Sequence, residues 1–139
     1  MAYWIKILHE RNVYVVDLDS LSAFCIEDNK RVQFWLPDSG QAIVINPHSN
    51  PDVYYKIVDY IKKTTSQSSE KFWVKIAYQR HQYVIDLTRI NTFSCDCSQR
   101  IIFWLPNSQE SIVVNPKSNP HDYEKVQEYI RKTTGFSLP

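Results

Sequence analysis

A chain of 139 residues with 43% hydrophobic and 22% charged side chains has the composition of a folded globular protein and the length of one ordinary domain or two very small ones. Sixteen basic residues against fifteen acidic ones leave a net charge of +1, which excludes a chain-wide electrostatic funnel for nucleic acid or anionic lipid and leaves only local patches. The glycines Gly40 and Gly135 stand alone, so neither a glycine-rich phosphate loop nor a dinucleotide fingerprint can be written on this chain.

No stretch approaches the ~20 apolar residues of a membrane span, and the N-terminal run reads as a strand rather than a secretory segment. Three cysteines cannot all pair, and Cys25 is far in sequence from Cys95 and Cys97, which suits a reducing cytoplasm. A cytoplasmic location with no membrane partner is the expectation.

An internal repeat organises the chain. An offset of 69 positions aligns residues 3–65 with 72–134 without a gap, and about 29 of the 63 pairs are identical. Tyr14-Val15-Val16-Asp17-Leu18 meets Tyr83-Val84-Ile85-Asp86-Leu87, and Phe34-Trp35-Leu36-Pro37 meets Phe103-Trp104-Leu105-Pro106. Residues 1–65 form a first βββββα repeat, 66–71 a polar linker, 72–135 a second repeat and 136–139 a tail.

In chain order, Tyr3–Leu8 and Val13–Leu18 alternate around a turn at Glu10-Arg11-Asn12, as a hairpin does. Leu21–Ile26 and Arg31–Leu36 form a second pair around the turn dipeptide Asp28-Asn29. Pro37-Asp38-Ser39-Gly40 suits a type I turn, and Ala42–Asn46 is a short fifth strand. The matching strands of the second repeat fall near 72–77, 82–87, 90–95, 100–105 and 111–115. The period then changes: Asn50 and Asn119 sit at N-cap positions, with Pro51 and Pro120 at the first helical position. Tyr54, Ile57 and Ile61, like Tyr123, Val126 and Ile130, make one apolar stripe, and Gly135 is a helix stop. The class is α+β with antiparallel sheets. Units of about 65 residues have marginal cores alone, so the two are expected to pack together with pseudo-two-fold symmetry.

Strand alternation also sorts faces. Val32, Phe34 and Leu36 oppose Arg31, Gln33 and Trp35; Ile101, Phe103 and Leu105 oppose Arg100, Ile102 and Trp104. Trp4 and Lys6, like Trp73 and Lys75, oppose the inward isoleucines and valines of the first strands. The eight residues Trp4, Lys6, Arg31, Trp35, Trp73, Lys75, Arg100 and Trp104 are therefore the candidate partner-binding set. The competing reading is that these faces pack inside the molecule, with Lys and Arg stems over the rings.

The tandem arrangement of strands followed by a helix resembles, in topology alone, the PUR/Whirly type of single-stranded nucleic-acid binder, and also PH-like modules that bind proteins or lipids. The first resemblance implies bases stacking on tryptophan with cations on phosphate.

Chemistry finds little purchase. Asp17 and Asp86 end apolar strands in matching contexts and read as carboxylates accepting from backbone N–H groups, not as catalytic acids. Cys95-Asp96-Cys97 lacks the second close pair that a zinc site needs, and the four histidines lack helical metal spacing. No nucleophile elbow is present. No catalytic residue, metal or cofactor is expected. The leading expectation is a non-enzymatic interaction module for a protein partner, a second copy included, working through the Trp/Lys/Arg faces or sheet edges. Single-stranded nucleic-acid binding through the same residues is the alternative, and an enzyme the third reading.

Overall fold

The computed structural model describes residues 3–67, 72–106, 108 and 110–137. Each half of the chain opens on a tight hairpin. Strand β1 (Trp4–His9) runs antiparallel to β2 (Asn12–Asp17), and its two-residue turn puts Glu10 and Arg11 at φ 50° and 70°. The later hairpin joins β6 (Trp73–Tyr78) to β7 (His81–Asp86) through Gln79 and Arg80 at φ 51° and 67°. Two successive left-handed residues give the turn whose twist matches that of the strands it connects.

A carboxylate closes each hairpin. Asp17 Oδ1 accepts from the backbone N of Tyr3 at 2.9 Å and of Asp19 at 3.0 Å. Asp86 Oδ1 accepts from the backbone N of Phe72 at 3.2 Å and Thr88 at 3.1 Å, and from Thr88 Oγ1 at 2.7 Å. They cap short 3-10 turns, Leu18–Ser20 and Leu87–Arg89, which satisfy N–H groups at the strand ends. These turns were absent from the strand-to-strand reading, and they delay the next strand by two or three residues.

There follow β3 (Ala23–Ile26), β4 (Val32–Trp35), β5 (Ala42–Ile45) and helix α1 (Pro51–Gln67), then in the second half β8 (Phe93–Cys95), β9 (Ile101–Trp104), β10 (Ser111–Val114) and helix α2 (Pro120–Thr134). The class is α+β, with three antiparallel sheets and two α-helices among the described residues.

Strand pairing departs from the two-fold arrangement expected. The middle sheet has five strands in the order β5-β4-β3-β7-β6, so β3 from the first half pairs with β7 from the second. Ala23 stands opposite Ile85 and Ile26 opposite Gln82. A two-fold relation would also pair β8 with β2, but β2 pairs only with β1 and β8 only with β9 among the described residues. The outer sheets are therefore a two-stranded β1-β2 and a three-stranded β10-β9-β8. The two halves follow one another head to tail.

One hydrophobic core lies on each side of the middle sheet. Ile5, Ile7 and Val16 of the β1-β2 sheet meet Phe24, Phe34 and Ile43 of the middle sheet, with Ile57 and Ile61 of α1 beside them. On the opposite face Ala23, Cys25, Trp35, Val74 and Ile85 meet Ile101, Phe103 and Ile112 of the third sheet, flanked by Tyr123, Val126 and Ile130 of α2. Both helix stripes are those the spacing indicates, and each fully buried isoleucine stabilises by roughly 1.5–3 kcal/mol over its exposed state. Tyr60, also buried, was missed because its hydroxyl reads as polar; it finds an acceptor in the Asp19 carboxylate.

Several local expectations need amendment. Asn119 precedes α2 but its side chain does not cap; Nδ2 donates instead to Ala77 O at 3.3 Å, tying the helix start to β6. Asn46 and Asn115 carry the tight turns before the helices, each Oδ1 accepting from a backbone N two residues on at 2.8 Å. Gly135 ends α2 at φ 80°, its N–H donating to Arg131 O. The linker placed at 66–71 begins two residues too early, since α1 runs through Gln67; residues 68–71 lie outside the described residues, as do 138–139 of the tail. Strand β8 ends at Cys95, so Cys95 and Cys97 do not share a strand face.

Candidate nucleic-acid interface

Antiparallel register collects turns from distant parts of the chain at one end of the stack. In the middle sheet Ile45, Val32, Ile26 and Gln82 stand side by side, so the turns 27–31, 46–50 and 79–80 leave the same edge. The start of α2 extends this end. Asn119 contacts Ala77, next to the 79–80 turn, and Tyr123 Oη donates to Gln99 O at 2.6 Å in the β8–β9 turn. Both helices therefore begin here, with the positive ends of their dipoles toward this surface.

The side chains of these turns are rich in cations. Lys30, Arg80 and Lys117 are exposed and form no ion pair among the described residues. Arg31 pairs with Glu27 and Arg100 with Asp96, each at 2.7 Å. The backbone N–H of Arg100, donating to Asp96, contributes most to holding that carboxyl below its ordinary range, so it stays charged and keeps Arg100 in place. Asp28, Asp52 and Asp122 are the nearby acids that form no ion pair among the described residues, and His48 and Ser49 fill the α1 loop. In the first helical turn of α2, burial raises the Asp122 carboxyl. The opposite end of the middle sheet carries Asp86 beside Arg89, and Asp38 in the turn after β4, a poorer match for phosphate.

The tryptophans chosen from the sequence do not form one surface. Trp35 is 9% exposed because the third sheet lies over its face, whereas Trp104, its counterpart on that outer sheet, is 47% exposed. Trp73 packs against Phe24 with ring centroids 6.0 Å apart, while Trp4 on the outer hairpin is 63% exposed. Lys6 and Lys75 are exposed along the hairpins; Arg31 and Arg100 belong to the cationic end. Position in the stack decides which tryptophan is covered. The cationic turns Lys30, Arg80 and Lys117 were not in the candidate set. The signal that could have found them is their shared register position at strand ends.

Asp86 has no exposed surface and its Oδ1 serves backbone donors, and Asp17 does the same in the first half.

The stacked antiparallel sheets with flanking helices define a small α+β fold that has a counterpart among solved structures. No protein-family model and no curated protein sequence matches the chain. In fold it is similar to a structure described as the LytTr DNA-binding domain of a putative methyl-accepting/DNA response regulator from Bacillus cereus, with a TM-score of 0.51 and 10% sequence identity over 96% of this chain and 97% of that one. This likeness overturns the leading expectation that the chain's function is to dock a protein partner through the Trp/Lys/Arg faces or sheet edges. The structure it resembles is described as a DNA-binding domain, and two of the four tryptophans on which the expectation rested are largely covered.

Proposed function

We propose that the chain is a non-enzymatic DNA-binding protein that meets the phosphate backbone with its cationic turn end. The likeness in fold to a DNA-binding domain over nearly the whole chain carries this reading. The clustering of Lys30, Arg80 and Lys117 beside two helix starts supports it, because phosphate contacts supply most of the sequence-independent affinity. A net charge of +1 is compatible, since Lys30, Arg80 and Lys117 share one end. None of the three cysteines is in a disulfide among the described residues, which suits a reducing cytoplasm. Trp4 and Trp104 are exposed enough to stack on unpaired bases, which keeps single-stranded nucleic acid as the second reading.

Fluorescence anisotropy with labelled duplex and single-stranded DNA, between about 50 and 200 mM salt, tests the proposal. Duplex binding should weaken steeply with salt. The combined variant Lys30→Ala, Arg80→Ala, Lys117→Ala should flatten the log–log slope by roughly 2 to 3, about 0.9 for each phosphate that is no longer neutralised. Binding that ignores salt, or a variant with an unchanged slope, refutes the assignment of this end. Tight single-strand binding with tryptophan quenching and no duplex binding would favour the second reading.

A further inference from the structure

We infer that copies of this chain join head to tail, the free edge of β8 in one copy pairing with the free edge of β2 in the next. The inference goes beyond the DNA-binding reading and does not depend on it.

The middle sheet is the template. It is a three-stranded piece from the first half, β5-β4-β3, completed by a two-stranded piece from the second, β7-β6. The outer sheets are the same two pieces left separate: β10-β9-β8 lacks its hairpin, and β2-β1 lacks its three strands. The 69-residue correspondence gives the register. Phe24 opposite Val84, and Ile26 opposite Gln82, become Phe93 opposite Val15 of the next copy, and Cys95 opposite its Val13. An antiparallel sheet of five strands in the same order results.

Exposure marks the surfaces left open. Val84 is fully buried beneath the first half's core, while its counterpart Val15 is 64% exposed and Val13 is 58% exposed. A large β-branched side chain so exposed on an unpaired edge strand is what natural sheets usually avoid. At the other end, the seat for a hairpin tryptophan is already assembled. Around Trp73 the first half supplies Phe24, which lies 6.1 Å from Tyr60. The second half holds the matching pair, Phe93 and Tyr129, at 6.4 Å. Trp4 of the next copy is the ring that fits there.

The two edges cannot meet within one chain. They belong to sheets on opposite sides of the middle one, roughly 20 Å apart at ordinary sheet spacing. Because the joined surfaces differ, the contact is heterologous and extends from copy to copy.

Light scattering on DNA-free protein across a concentration series tests the pairing. The wild-type mass should rise with concentration above the 16.5 kDa of one chain. Val15→Glu leaves the isolated hairpin intact, since the new carboxylate faces Lys6 across the strand pair, but would bury a charge in the joint. Thr92→Lys does the same at the other edge, where the counterpart Ala23 is buried. Each variant alone should remain a monomer. An equimolar mixture should give a dimer and nothing larger, because one good β8 edge and one good β2 edge remain. Val13→Cys combined with Cys97→Ser should also form, on mild oxidation, a ladder of disulfide-linked chains through Cys95. Wild-type protein that stays monomeric at hundreds of micromolar, variants that still associate, or a mixture that gives no dimer would each overturn the inference.

Discussion

The two strand-ending aspartates offer a paired experiment, because sequence and local geometry are matched and only the surroundings differ. Asp86 has no exposed surface, and its Oδ1 gathers the N–H groups of Phe72 and Thr88 together with the Thr88 hydroxyl. Arg89 Nε stands 3.9 Å from Oδ2. Asp86→Ala strands two backbone donors, each at about 1–3 kcal/mol when buried, so the substitution should cost roughly 2–6 kcal/mol. That is a large part of the roughly 5–15 kcal/mol by which a domain is stable. Asp17 makes the corresponding bonds to Tyr3 and Asp19, but its own carboxylate is half-buried where that of Asp86 is fully buried, so water can replace it. Asp17→Ala should cost about 0.5–2 kcal/mol, the ordinary loss of a cap. Asp86→Asn retains an acceptor oxygen and should fall between Asp86→Ala and the wild type. Urea unfolding followed by tryptophan fluorescence measures all three, with midpoints interpretable if the slope is constant. The reasoning fails if Asp17→Ala costs as much as Asp86→Ala, or if Asn at position 86 is no better than Ala.

Three further outcomes follow from particular side chains. Burial pushes the Cys25 thiol from 9.0 up to about 11, so the unfolded chain ionises first as pH rises. Stability from this group should be complete below pH 9 and decline between 9 and 11, and a Cys25→Ala variant should show a shallower alkaline loss in urea titrations. Tyr60→Phe removes the hydroxyl donated to Asp19 while keeping its ring packing with Phe24 and Tyr3, and should cost about 1.5–3 kcal/mol in chemical unfolding; an unchanged midpoint would show that bond to be idle. Gly135→Ala meets no atom within 4 Å, so its cost should be conformational alone, about 1 kcal/mol from φ 80°, and a much larger loss of stability in thermal unfolding would point to a clash with the new methyl group.

Strands and helices were legible because alternation and turn chemistry act locally. Asp28-Asn29, Asn46-Pro47 and Asn115-Pro116 mark the breaks, and the helix stripes need only a period. Pairing was not legible. Alternation tells Val84 and Val15 which face they occupy but not that β3 lies beside one and nothing beside the other. Trp35 and Trp104 share nearly identical local sequences, yet Trp35 is covered and Trp104 is not, because burial there depends on which sheet comes next in the stack. The candidate interface was hidden for a related reason. Lys30, Arg80 and Lys117 are isolated in sequence within a nearly neutral chain, and only the strand register brings their turns to one end.

The pairing of β3 with β7 also bears on how the chain reaches its fold. Residues 56 to 62 positions apart must find each other before the middle sheet exists, and both cores are built against that sheet. During synthesis the first half can form its hairpin, but the edge of β3 waits until β7 has emerged. Loop closure of this length precedes any reward from burial, so folding should be slow for a chain of this size. Neither half owns a complete core. Hydrogen exchange should therefore report a single cooperative opening that spans both halves, with Phe24, Val84 and Ile85 among the last amides to exchange.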